Sequence, residues 1–436
     1  MMKSRTGFIP KPPALPLSVP CDSSRVISVL RDREFVKLWS GQTISEIGSR
    51  ITREGLPYTA VKLLDASTAQ MGLLAALQGV AAFAAGPLAG LAADRYHHRP
   101  ILIASDLARA LVLASIPWAY LHGQLTFSLL MGVAVAAAFL TVFFDVAYQA
   151  YLPRLLPKEQ WLEGNGKLAI SFSTAEVIGP GLTGVLIQVL TAPRAILLDA
   201  LSFILSALSV ALIRRPEILP PPKVESAHRQ AAPSLRILTS HPILRALALR
   251  TATAFFSFGF LSSLYIYFAV RELHLSAAAI GGVVMLGGMS NLCGSLLAPR
   301  LLLTFPLGPL LIGSALLPGL AACLIPLAPS SSVWWGAAFL GASQLIGDLG
   351  FPVFGVHELT LRQSVTPPAL LGRVNAGMQM LMKGLLPAGA LIGGLLAESI
   401  GIRPTFALGA AGVLASTFFL YFSPIRHLRN HPEPVA

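Results

Sequence analysis

Apolar residues fall in long runs, broken at near-regular intervals by short polar or proline-rich stretches. A helix needs roughly 20 predominantly apolar residues to cross the hydrocarbon of a bilayer. Runs of that length predict spans at 35–60, 70–92, 101–121, 126–152, 167–190 and 195–213. A second set follows at 246–269, 277–298, 308–328, 333–358, 374–397 and 404–422. Between the sets, Pro216, Pro220, Pro221, Pro222 and Pro233 stand among scattered charges, a composition that reads as a polar linker and not as a span. The predicted organisation is a disordered tail over 1–33, a six-helix bundle over 34–213, a linker over 214–242, a second six-helix bundle over 243–422 and a short tail over 423–436. The fold class is therefore an all-α membrane protein with twelve transmembrane helices. Bundles of equal length at six spans each leave room only for short loops.

Composition supports a membrane setting, with 54% hydrophobic and 12% charged residues, against about 25% charged in soluble domains. The net charge of +12 raises nucleic acid as a partner, but the basic residues form no aromatic-interleaved stripe and lie between apolar runs. With both termini cytoplasmic, only Lys62, Arg194, Arg271 and Arg403 fall in connections on the far side. The excess of positive charge is then topological. An inner cell membrane location with both termini cytoplasmic is expected, with the lipid bilayer and no nucleic acid as partner. Prolines interrupt residues 1–20 before a signal-peptide core can form. Cys21, Cys293 and Cys323 lack CxxC spacing and no His cluster has metal-ligand spacing, so no disulfide framework, metal or cofactor is expected. His97 and His98 read as solvated loop residues.

A faint repeat links the halves. Gly90-Leu-Ala-Ala-Asp94-Arg95 lines up with Ser295-Leu-Leu-Ala-Pro-Arg300, and Glu176-Val-Ile-Gly-Pro-Gly181 with Lys383-Gly-Leu-Leu-Pro-Ala388, at nearly the same offset. Two pseudo-symmetric bundles follow, an architecture in which substrate sits at mid-membrane between rocking halves. The stretch Gly90-Leu-Ala-Ala-Asp94-Arg95-Tyr-His-His-Arg99 resembles the loop signature of the major facilitator superfamily, with His97 where Gly is usual. Leu361-Arg362-Gln363, Leu371-Gly372-Arg373-Val374-Asn375-Ala376, Asp199-Ala-Leu-Ser-Phe203 and Ser423-Pro-Ile-Arg426 are similar to the bacterial branch containing enterobactin exporters and macrolide efflux proteins. The resemblance implies alternating access by a monomer, usually proton-coupled, most often exporting a small amphipathic cargo such as a siderophore or drug-like natural product. It also implies a conformational latch of Gly90, Asp94, Arg95 and Arg99 facing the eleventh helix. Gly179-Pro180 with Gly184 resembles the superfamily's antiporter signature, whereas span four lacks the central Arg of many drug antiporters.

Polar residues inside the spans are the candidate transport machinery. Glu46, Arg50, Arg53 and Glu54 share about a 100° arc of span one, flanked by Gln42 and Thr43. Four charges facing lipid would cost on the order of 10 kcal/mol, so that face must meet protein or water. It is either a cavity wall or a stripe of i,i+4 ion pairs, 46/50 and 50/54. Asp145 and Gln149 in span four recur as Gln344 and Asp348 in span ten, and Glu176 in span five corresponds to Lys383 in span eleven. Asp145 and Glu176, with no basic residue one turn away, are the proton-coupling candidates. The others are cavity candidates, against hydrogen bonding to neighbouring helices as the structural alternative. An importer on the same scaffold is the competing function. A sensor or lipid enzyme is disfavoured by the lack of G-x-S-x-G, H-E-x-x-H or a P-loop.

Overall fold

A computed structural model describes residues 29–217 and 237–432. The predicted tail up to residue 28, the linker over 218–236 and the last four residues lie outside the described residues. Among the described residues, a long helix stands at each predicted span: α1 (Arg33–Leu63), α2 (Thr68–Arg95), α3 (His98–Leu121), α4 (Phe127–Leu155), α5 (Trp161–Leu190), α6 (Ala192–Ala211), α7 (Pro242–Tyr267), α8 (Ala277–Thr304), α9 (Leu307–Ala322), α10 (Val333–Ser364), α11 (Leu371–Ile400) and α12 (Ile402–Ser416). Most outrun their apolar windows at one or both ends, and capping residues fix several of the starts. Ser67 and Gln70 form a capping box at α2, and the Ser276 hydroxyl accepts from Ala279 N at α8. Eleven of these segments are long and apolar enough to cross a membrane unaided. The exception is α1, whose central charges lower its hydropathy and whose insertion therefore depends on what those charges meet.

The predicted repeat is built into the packing. In the first half α1 packs on α5 and α6, α2 on α4, and α3 on α4 and α6; six helices later α7 packs on α11 and α12, α8 on α10, and α9 on α10 and α12. Backbone conformation repeats as well. Asp65 (φ 49°) and His274 (φ 52°) turn the chain between the first two helices of each half, while Thr191 (φ 76°) and Gly401 (φ 92°) join the last two. Glycine holds that last conformation without a Cβ clash.

The halves meet through α2 on α11 and α5 on α8. At these crossings glycine brings the backbones together: a Cβ on Gly394 would lie 2.7 Å from Gly72 Cα, and one on Gly281 would lie 2.9 Å from Gly184 Cα. Along one face of α2, Gly72 and Gly79 press on Gly394 and Pro387 of α11, but Gly86, a further seven residues on, faces open space, as does Gly384 on α11. The helices therefore diverge towards the end of the molecule that holds the described chain ends, here the terminal end. At the opposite end the halves are also tied by Arg271, after α7, which ion-pairs with Asp65 and donates to the Val61 carbonyl at 2.9 Å. The space between the bundles is closed there and open at the terminal end.

A carboxylate just beyond α6 ties down the terminal end of the first bundle. Glu217 Oε2 accepts from His98 N at 2.9 Å and Arg99 N at 3.3 Å, doing for the start of α3 what the N-cap side chain of His97 does not. Its Oε1 accepts from Arg154 of α4 at 3.0 Å and meets His98 Nδ1. His98 is thus 1% exposed and not a solvated loop residue, because its ring fills the junction of α3, α4 and the segment after α6. Burial by itself pushes the Glu217 carboxyl up, but the hydrogen bonds from His98 and Arg99 outweigh it and hold the group below its ordinary 4.5. Its contribution is therefore complete above that value and lost only as pH falls through the lowered one. Glu217→Ala should cost about 1–3 kcal/mol. Thermal unfolding in detergent should show a lowered midpoint at pH 7, with the gap to the unmodified chain closing in strong acid; equal midpoints at pH 7 would remove the clasp from the account.

Candidate functional site

The charged face of α1 turns into the space between the bundles. Arg50 is 3% exposed, ion-pairs with Glu176 of α5 and lies over the Phe172 ring at 5.4 Å. Gly179, one turn beyond Glu176, makes room for it, since a Cβ there would fall 2.5 Å from Arg50 Cγ. Arg53, 61% exposed, reaches the same Glu176 oxygen at 3.5 Å. Two expectations are corrected here. Glu176 has two cationic partners, which its own helix gave no means of seeing. The 46/50 and 50/54 pairs do not form, because Arg50 is drawn across to α5; Glu46 and Glu54 make no ion pair or hydrogen bond among the described residues.

Those two carboxyls line separate cavities. Glu46 borders one of about 440 Å³ with Gln42, Tyr148, Gln149 and Asn165, on the terminal-end side of the first bundle. Glu54 and Arg53 border a second, of about 580 Å³, with Tyr265 from α7 and Gln344, Asp348 and Phe351 from α10. Gln42 is largely turned away from open space, donating to Ser206 of α6 at 3.0 Å. Asp145 on α4 lies within electrostatic range of Glu46, of Arg109 on α3 and of Lys383 on α11, so charges from both bundles act on it. Asp348 lies within range of Glu176. The structure therefore strings Glu46, Arg50, Arg53, Glu54, Asp145, Glu176, Asp348 and Lys383 from the terminal-end cavity at Glu46 to the inter-bundle cavity at Glu54, about 12 Å along α1, five carboxyls against three cations. An acidic surplus in a partly desolvated space is unfavourable until a cation or proton joins it.

The latch residues divide. Gly90 faces open space, and Asp94 and Arg95 are exposed with no ion pair or hydrogen bond among the described residues. Arg99 does not face α11. Its guanidinium instead caps the end of α6, donating to the Val210 carbonyl at 3.1 Å and the Ala211 carbonyl at 2.5 Å, where the helix dipole is negative.

Sequence reasoning missed a buried polar layer behind α1. Arg109 pairs with Asp106 and is sandwiched by the Phe144 and Phe203 rings, 4.4 Å and 4.0 Å from their centroids. Asp199 of α6 accepts from Thr52 and from Ser202 at 3.0 Å. Asp106 and Arg109, three residues apart in an apolar run, were a visible signal; Tyr265, whose hydroxyl is buried with no hydrogen-bond partner among the described residues, left none, since a tyrosine in an apolar helix is ordinary.

The comparisons with known proteins agree with this architecture. The family model described as Major Facilitator Superfamily matches residues 38–388. The chain is 24% identical over 394 residues to "Macrolide efflux protein A" of Streptococcus pyogenes, covering 87% of this chain and 93% of that protein. It is 25% identical over 388 residues to "Enterobactin exporter EntS" of Citrobacter koseri, covering 86% and 88%. Among solved structures, a bacterial homologue of the iron transporter ferroportin in an inward-facing state shares the fold with a TM-score of 0.69 at 18% identity, over 90% of this chain and 98% of that one. Twelve long helices among the described residues, in two six-helix sets with charged groups lining the cavities beside α1, and this family match lead to one conclusion: the chain belongs to the Major Facilitator Superfamily and is a multi-pass membrane transporter of a small-molecule cargo, not an enzyme.

Proposed function

We propose that the chain is a proton-coupled exporter of a small amphipathic molecule, a siderophore or drug-like natural product, with both termini in the cytoplasm. The observation that carries this reading is the acidic surplus along the two cavities beside α1, supported by the efflux and exporter names of the relatives. In this orientation the structure stands open to the cytoplasm. Cargo enters between the bundles and meets the apolar walls of the larger cavity, Phe258 and Phe351, beside Gln344 and Asp348. Protons arriving from outside compete with Arg50 and Arg53 for Glu176, and for Asp145 with the fields of Arg109 and Lys383. Because these partners sit on different helices, and for Asp145 on different bundles, a change of proton occupancy changes which helices are held together. That linkage is what alternating access needs.

Asp94 fits a latch that works only when the terminal end is shut, which accords with its lack of a partner in this open state. Everted membrane vesicles with an imposed acid interior test the coupling, with a macrolide and enterobactin as trial cargoes. Asp145→Asn should reduce gradient-driven uptake about tenfold or more, with unchanged protein in the membrane. Uptake at the unmodified level, or uptake indifferent to collapse of the gradient, would reject proton coupling through this residue.

A further inference from the structure

A groove of about 670 Å³ lies at the terminal end of the first bundle, away from the inter-bundle space, between the start of α3 and the segment after α6. Its charges do not balance. Arg215 is paired with Asp32 at 3.0 Å, and Glu217 is taken up by Arg154 and His98. Arg99 touches only backbone carbonyls through its guanidinium, and the Arg214 side chain, exposed at the mouth, has no partner among the described residues. Two cations are therefore left without a counter-anion among the described residues.

The rest of the groove is apolar and leads into the lipid-facing surface. Ile103, Ala104 and Leu107 form its wall on α3. Below them Leu111 of α3 and Leu208 of α6, 76% and 54% exposed, continue the same outward surface. From Arg99 to Leu107 the helix rises about 12 Å, so the cations sit where headgroups lie and the apolar wall descends among acyl chains. We infer that this groove is a binding site for an anionic phospholipid, with its phosphate between Arg99 and Arg214 and one chain along Ile103 and Leu107. The site has no part in the cargo pathway, and its failure would leave the exporter reading untouched.

The test equilibrates the purified full chain with bicelles of phosphatidylcholine and phosphatidylglycerol and counts retained lipids by native mass spectrometry. The unmodified chain should retain phosphatidylglycerol in preference. Arg214→Gln, which removes a side chain with no hydrogen bond or ion pair among the described residues, should lower that preference roughly fivefold. Arg99→Gln should lower it similarly. Arg300→Gln, an exposed cation at the same end on α8, should leave it unchanged. Equal retention of both lipids by the unmodified chain, no effect of Arg214→Gln, or an equal loss with Arg300→Gln would overturn the site. So would displacement of the lipid by soluble glycerol phosphate, because a phosphate subsite that needs no acyl chain is a different site.

Discussion

Replacement of Glu176 by glutamine is expected to destabilise the protein and stop transport together. Arg50 is almost wholly buried and Glu176 is its ion-pair partner, so the substitution leaves a guanidinium between helices without a counter-charge. Breaking a buried pair from one side costs about 3–5 kcal/mol. Glu176 is itself 37% exposed, which places the loss near the lower end, since water screens part of the interaction. Arg53→Gln removes only the longer and more exposed contact, 3.5 Å at 61% exposure, and should cost less than about 1 kcal/mol. The double substitution Arg50→Gln with Glu176→Gln should recover much of the lost stability while leaving transport absent, because neutral partners can pack but cannot exchange a proton against a fixed charge. Thermal unfolding in detergent reads the first quantity and flux into proteoliposomes the second. If Glu176→Gln melts with the unmodified protein, the pair does not hold α1 to α5 as described.

The second large effect concerns the glycines where the bundles touch. Each of Gly281 and Gly394 meets backbone, not flexible side chain: a Cβ on Gly281 would lie 2.4 Å from the Pro180 carbonyl oxygen, and one on Gly394 2.7 Å from that of Thr68. Backbone cannot step aside, so overpacking here costs about 1–3 kcal/mol per site. Gly281→Val with Gly394→Val acts at both inter-bundle contacts, α5 on α8 and α2 on α11, and roughly 2–6 kcal/mol against the closed end opposite the chain ends is enough to invert a two-state equilibrium. Spin labels at positions 65 and 271 should move apart and labels at 90 and 384 should move together. Adding Asp94→Ala should undo part of the second movement if Asp94 latches the terminal end when shut. Unchanged distances at both ends of the double glycine variant would mean that the bundles do not rock about these contacts.

The glycine contacts show how far sequence reading reached. Gly281 and Gly394 are plain in the chain as members of Gly-Gly pairs, but a pair of glycines in a span is compatible with loose packing anywhere in a bundle. Which member meets a neighbour depends on a helix from the other half: Gly282 faces nothing within 4 Å, while Gly281 lies against Pro180 and Gly184. Glu176 shows the same limit. Its lack of a cation one turn away is a true statement about α5, yet the partners, Arg50 and Arg53, come from α1, at the other end of the first bundle's sequence. Glu217 lies at the edge of a proline-rich segment where the pattern predicts only linker, and it gains its role because α3 begins and α4 ends beside it.

The helices, their ends, the repeat and the presence of charge inside the membrane were determined by the sequence alone, for a physical reason. In hydrocarbon every backbone polar group must be satisfied within its own segment, so span length and apolar composition dictate helix position almost without reference to neighbours. Caps and turns, as at Ser67 and Gly401, obey equally local rules. Ion-pair partners, the end at which the bundles part, and the turning of Arg99 towards α6 and away from α11 were decided only by the tertiary structure. A long charged side chain on α1 or α3 reaches several helices at nearly equal distance, and which of them offers the best counter-charge or carbonyl is fixed by packing between segments far apart in the chain.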